Sequence, residues 1–122
     1  GSAKIWSVSN LYIEADSTIG PRVNTYNQGL VKIGKKVVIS QDVTICASTH
    51  DYNDALHPLI LSPITIQDNV WICAEAFIGP GVTVHEGAVI GARAVLVNDA
   101  EPWAVYAGNP AKKVKDRKRF EH

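Results

Sequence analysis

Residues 64–96 read ITIQDN VWICAE AFIGPG VTVHEG AVIGAR AVL, and this stretch decides the fold. Ile66, Ile72, Ile78, Val84, Ile90 and Leu96 stand six residues apart. Two positions before each lies a second small or aliphatic residue: Ile64, Val70, Ala76, Val82, Ala88 and Ala94. A helix would space its apolar residues at 3.6, and an ordinary strand would alternate without interruption. Here the alternation lasts one short strand and then restarts, so each hexad reads as a flat strand followed by a corner. Small residues after the aliphatic, as in Ile78-Gly79 and Ile90-Gly91, are expected to relieve crowding and to accept unusual backbone angles at the corners.

The register runs back through Ile45, Ile39 and Ile33, preceded by Val43, Val37 and Val31, and then through Ile19 and Ile13, preceded by Ser17 and Leu11. Three hexads close a triangular coil, and stacked coils pair through parallel strands about 4.8 Å apart. The inward aliphatics then form one continuous core. With Ile13 on the first face and Ile19 on the second, Thr25 falls on the third. Two extra residues precede Ile33, and the repeat due at residue 51 arrives only at Ile66. Both interruptions fall between the third face and the next first face, so they are predicted to stack at one corner, where solenoids carry function.

At 122 residues the chain fits one domain, read as 3–122, with Gly1-Ser2 as an expression scar. Hydrophobic residues make up 46% and mean hydropathy is near zero, which excludes a disordered chain. No apolar run reaches the roughly 20 residues of a membrane span, and Ala3 onward lacks a secretory layout, so the expected location is the cytoplasm. Acidic and basic residues balance at 12 each, which gives no bulk reason to expect nucleic acid. Six of the cations nevertheless crowd residues 112–119, a short tail open to a solvated or a helical reading. Cys46 and Cys73 fall on different faces, too far apart for a disulfide, and are expected as buried free thiols. Trp6, Phe77 and Trp103 are expected as exposed apolar groups that invite a partner.

The longer interruption holds Ser48-Thr49-His50-Asp51-Tyr52-Asn53-Asp54-Ala55-Leu56-His57-Pro58. A protruding loop of this length, about 48–63, usually carries function. An imidazole at its root suits general-base catalysis, or else it caps the corner by bonding a carbonyl. The shorter interruption, Asn24-Thr25-Tyr26-Asn27-Gln28, offers amides, a hydroxyl and a ring suited to a sugar, although turn residues are commonly polar for turn reasons alone.

Thr49-His50-Asp51, then Ser62-Pro63-Ile64-Thr65-Ile66 and Val70-Trp71-Ile72, resemble the hexapeptide-repeat acetyltransferases of galactosides, maltose and streptogramins, and in particular the colanic-acid biosynthesis branch. The closing run Glu101-Pro102-Trp103-Ala104-Val105-Tyr106-Ala107-Gly108-Asn109-Pro110-Ala111-Lys112 is similar to that family's last motif. The resemblance implies an all-β, left-handed parallel β-helix and transfer of an acetyl group from acetyl-CoA to a sugar or glycan hydroxyl. His50 would be the general base in a ternary complex without an acyl-enzyme. It also implies an oxyanion donor near Cys73-Ala74, Trp71 beside the CoA arm, and Ala74 and Ala92 flanking pantetheine. Pro110 would lie near the adenine end, with Lys112, Lys113 and Arg117 toward the phosphates. Asn98 stands where relatives often carry lysine, which puts one phosphate contact in question. Asn24, Tyr26, Asn27 and Asp51 are the candidate acceptor contacts. No metal is implied, and the expected assembly is a homotrimer with sites between subunits. Many members of that family carry an N-terminal segment that helps wall the acceptor pocket, and the resemblance leaves that wall as an expected gap.

Two other readings are testable. A metal hydratase on the same fold needs three converging histidines, whereas His50, His57, His85 and the terminal His122 lack the paired spacing. A non-catalytic scaffold is the other, because a fold does not fix a function.

Overall fold

The computed structural model describes the strand at Lys4–Ile5 and residues 10–120. Its short strands stack into three parallel sheets, one on each face of a triangular prism. The first face holds β2 (Leu11–Ile13), β5 (Val31–Ile33), β10 (Ile64–Ile66) and β13 (Thr83–Val84). The second holds β3 (Thr18–Ile19), β6 (Val38–Ile39), β11 (Trp71–Ile72), β14 (Val89–Ile90), β16 (Ala104–Ala107) and β17 (Lys112–Asp116). The third holds β1 (Lys4–Ile5), β4 (Asn24–Tyr26), β7 (Thr44–Cys46), β12 (Phe77–Ile78) and β15 (Val95–Leu96). Every periodic residue pairs in the predicted register: Ile13 with Ile33 and Ile66, Ile19 with Ile39 and Ile72, Thr25 with Ile45 and Ile78. Ile45, Ile72, Ile78 and Ile90 have no solvent exposure. Alternate residues such as Lys32, Val38 and Trp71 face outward, so a single short strand serves both the core and the surface.

The corners work differently from the expectation. Asp16, Arg22, Lys36, Asp42, Asn69, Glu75 and Arg93 take left-handed backbone angles, each three residues after an inward aliphatic. Only Gly81 and Gly87 occupy that slot as glycines. The glycines that directly follow an aliphatic serve close approach instead. A Cβ on Gly20 would lie 2.9 Å from the Gln41 nitrogen, and one on Gly91 would lie 3.1 Å from the Tyr106 carbonyl.

The two ends differ. Ile13 in the first described coil is 42% exposed, with no strand beyond β2 on its face among the described residues. At the far end Trp103 is buried, and Phe77, between β7 and β15 on the third face, is half-buried, contrary to the exposed placement expected for both; Trp6 lies outside the described residues. A side chain on Gly87 would overlap the Trp103 indole, so that glycine makes the space for the cap. The tail is not helical. Lys112–Asp116 forms an antiparallel strand on β16, because the open edge of the second face offers backbone partners that an isolated charged segment lacks. Cys46 and Cys73 are free thiols on different faces, half-buried rather than buried.

Candidate active site

The interruptions at 27–30 and 47–63 share the edge between the third and first faces. The Ala47 N–H donates to the Tyr26 carbonyl at 2.9 Å, and the Ser62 N–H returns to the Ala47 carbonyl at 2.9 Å. Ser48 Oγ meets Gln28 Oε1 at 3.2 Å. A Cβ on Gly29 would overlap the Ala47 carbonyl oxygen, so glycine there lets the two insertions touch. The longer one is a β-hairpin: β8 (Ser48–His50) pairs antiparallel with β9 (Leu59–Leu61), with His50 opposite Leu59. His50 is exposed at the tip of β8. Its Nδ1 lies 2.8 Å from the His57 carbonyl oxygen. A carbonyl only accepts, so Nδ1 carries the proton in this contact, and in the neutral ring the lone pair then lies on Nε2. The carbonyl contact expected of a corner-capping histidine is therefore present.

The other candidates divide among separate places. Tyr26 is half-exposed on the same edge as His50, and exposed Asn98 lies farther along that edge. Asn27 is fully buried, so its amide faces the protein rather than an acceptor. Asp51 caps its own turn, accepting from the Asn53 N–H at 3.0 Å. Asn24 opens β4, at the opposite side of the third face from His50. Cys73, Ala74 and Ala92 also line that opposite edge, between the second and third faces. The Cys73 N–H is taken by the Ile90 carbonyl at 2.8 Å, whereas the Ala74 N–H has no partner among the described residues. Burial pushes the Cys73 thiol up from its ordinary range. Trp71 lies outside on the second face, 46% exposed, donating from Nε1 to Ser40 Oγ at 3.2 Å. It borders a hollow of about 630 Å³ shared with Lys36, Val38, Arg117 and Phe120. A second hollow of about 760 Å³ lies over Tyr12, Lys32 and Thr65 on the first face. Neither is lined by His50. Pro110 and Lys112 are exposed below the third face, where the Ala111 N–H meets the Val95 carbonyl. Among the described residues no three His, Cys, Asp or Glu side chains form a metal-sized group, and His122 lies outside them.

Residues 63–98 match the bacterial transferase hexapeptide model of six repeats. The chain is a hexapeptide-repeat protein. It is 34% identical over 103 residues to WcaF of Escherichia coli, named as a colanic acid biosynthesis acetyltransferase, covering 84% of this chain and 57% of that one. It is 32% identical to the galactoside O-acetyltransferase of the same organism, over 88% of this chain and 55% of that one. The hexapeptide-repeat acetyltransferase VCA0836 of Vibrio cholerae, solved with acetyl coenzyme A, superposes with a TM-score of 0.84 at 27% identity, over 90% of this chain and 62% of that one. The fold is accordingly the left-handed parallel β-helix. The chain thus spans little more than half the length of the curated relatives it matches.

Within this hexapeptide-repeat chain the sequence reading passed over the His57 carbonyl and the structural contacts of Arg117. The His57 carbonyl acts through backbone, which leaves no mark in residue type. Arg117, expected toward the CoA phosphates, also pins the tail: its Nη1 donates to the Asn69 and Gly87 carbonyls, each at 2.9 Å. Its guanidinium also lies 5.5 Å from the Trp103 ring centroid and 4.7 Å from that of Phe120. Lys113 is held by Glu101 and Asp116, both at 3.0 Å, and those partners push its ammonium up. Arg117→Ala is expected to cost about 1.5–3 kcal/mol, the worth of charged hydrogen bonds, and to speed trypsin cleavage of the tail. Arg117→Lys should restore little, because an ammonium lacks the planar fork. A thermal midpoint equal to that of the parent would refute the pin.

Proposed function

We propose that this hexapeptide-repeat protein is an acetyl-CoA-dependent O-acetyltransferase acting on a hydroxyl of a sugar or glycan, working in the cytoplasm as a homotrimer. The observation that carries the reading is the 2.8 Å contact from His50 Nδ1 to the His57 carbonyl, which leaves Nε2 free on the edge where both insertions meet. The names of its relatives support the substrate class, since colanic acid, galactoside and maltose are all carbohydrate acceptors. The acetyl-CoA held by the Vibrio relative supports the donor.

In this mechanism His50 Nε2 takes the acceptor hydroxyl proton as the oxygen bonds to the thioester carbonyl carbon. The tetrahedral oxyanion is met by a backbone N–H, for which Ala74 is the available candidate. Collapse breaks the C–S bond, and the imidazolium returns its proton to the leaving sulfur. No metal enters, and no acyl-enzyme forms.

Placement supports the trimer. His50 and the Ala74–Ala92 edge lie on opposite sides of the third face, so one prism cannot apply both to the same thioester. A neighbouring copy that brings its Ala74 edge to this His50 completes the site.

A panel of hydroxyl acceptors assayed for free CoA, run alongside calorimetric binding of acetyl-CoA, tests the function. The expected result is saturable binding and acceptor-dependent thiol release, strongest with carbohydrate. Absence of acetyl-CoA binding would leave the fold a scaffold.

A further inference from the structure

The loop that follows His50 does more than connect two strands. Residues 51–58 close into a ring, with the Asp51 N–H donating to the Pro58 carbonyl at 3.0 Å. Inside it Asp54 organises a turn: Oδ1 accepts from the Leu56 N–H at 2.9 Å, and its carbonyl accepts from the His57 N–H at 2.9 Å. That turn holds His57 at φ 46°, a left-handed angle on a residue that also precedes Pro58. The conformation is costly for a side-chained residue, and proline narrows its choices further. Such a placement persists where the surroundings over-determine it. It points the His57 carbonyl oxygen at His50 Nδ1.

We propose that Asp54 and the backbone of His57 are positioning residues that fix the tautomer of His50. Free imidazole exchanges its proton between the two nitrogens, and only the form protonated at Nδ1 leaves Nε2 able to receive a proton. The ring of hydrogen bonds selects that form before any acceptor arrives. The role of the His57 side chain is incidental; its carbonyl is the functional group. This inference rests on reading His50 as the base, but the tautomer can be measured without any turnover.

The test uses Asp54→Ala, Asp54→Asn, His57→Gly and His57→Val in the full chain. Imidazole nitrogen-15 spectra read the tautomer, and steady-state kinetics separate kcat from KM. Asp54→Ala should shift His50 away from the Nδ1-protonated form and lower kcat about 10-fold, at the low end of what loss of an outer-shell partner costs a metal-bound histidine. KM for acetyl-CoA should stay close to that of the parent. Asp54→Asn keeps an acceptor oxygen and should recover most of the loss. His57→Val, which strains the left-handed angle, should depress kcat more than His57→Gly, which accepts it. A folded Asp54→Ala protein with an unchanged nitrogen spectrum overturns the proposal. So does a His57→Gly protein that loses the tautomer as fully as His57→Val, since the imidazole rather than the carbonyl would then be responsible. If His50→Ala left turnover intact, the proposed reaction would fail, while the spectra would still decide the positioning.

Discussion

His50→Ala is expected to lower kcat/KM for acetyl transfer by about 10²–10⁴-fold, the share that a positioned general base supplies. In barrier terms this is about 3–5 kcal/mol. The fold should survive, because the His50 side chain is exposed and makes a single hydrogen bond, to the His57 carbonyl. Binding of acetyl-CoA should also survive, since the donor contacts are assigned to the opposite edge and the tail. His50→Gln separates shape from chemistry: it can still donate to the His57 carbonyl but cannot accept a transferable proton, so it should be as slow as alanine. Rates equal to the parent's in both variants, with acetyl-CoA still bound, would remove His50 from the reaction.

How much of this was legible in sequence depends on whether a feature repeats. The prism was legible because Ile66 to Leu96 restates one instruction six times, and stacking makes each restatement check the others. Counting in threes also placed both insertions on one edge, as the contacts of Ala47 with Tyr26 and Ser62 bear out. Features that occur once were less legible. Asn27 reads as a turn amide, yet the Gly29 approach buries it. The tail, rich in good helix formers, is drawn into a strand by the unpaired edge of Ala104–Ala107. At the corners the sequence showed small residues but not their task. Left-handed angles fall on Arg22, Lys36 and Glu75, where the prism geometry outweighs the intrinsic cost of a side chain. At the candidate site the residue type of His50 drew attention to the loop, but the carbonyl its Nδ1 meets belongs to backbone, which every residue shares.

The core makes the second large prediction. Ile72 has no exposure and stacks between Ile39 and Ile90 on the second face. Ile72→Ala removes apolar bulk from a layer closed above and below, and should destabilise by about 2–5 kcal/mol. Ile13→Ala, made in a residue 42% exposed in the first described coil, should cost well under half as much, because solvent already reaches its outer side. The contrast matters more than either value. In a solenoid each coil touches only its neighbours, so a defect in a layer packed on both sides weakens two interfaces, whereas Ile13 has a described partner on one side only, Ile33. Ile72→Asp goes further: a carboxylate without a partner in that layer should prevent folding altogether. Denaturant titrations of the two alanine variants measure the difference directly. Equal losses at Ile72 and Ile13 would mean that the prism does not draw its stability from stacked neighbours, and that the six-residue pattern serves some other end.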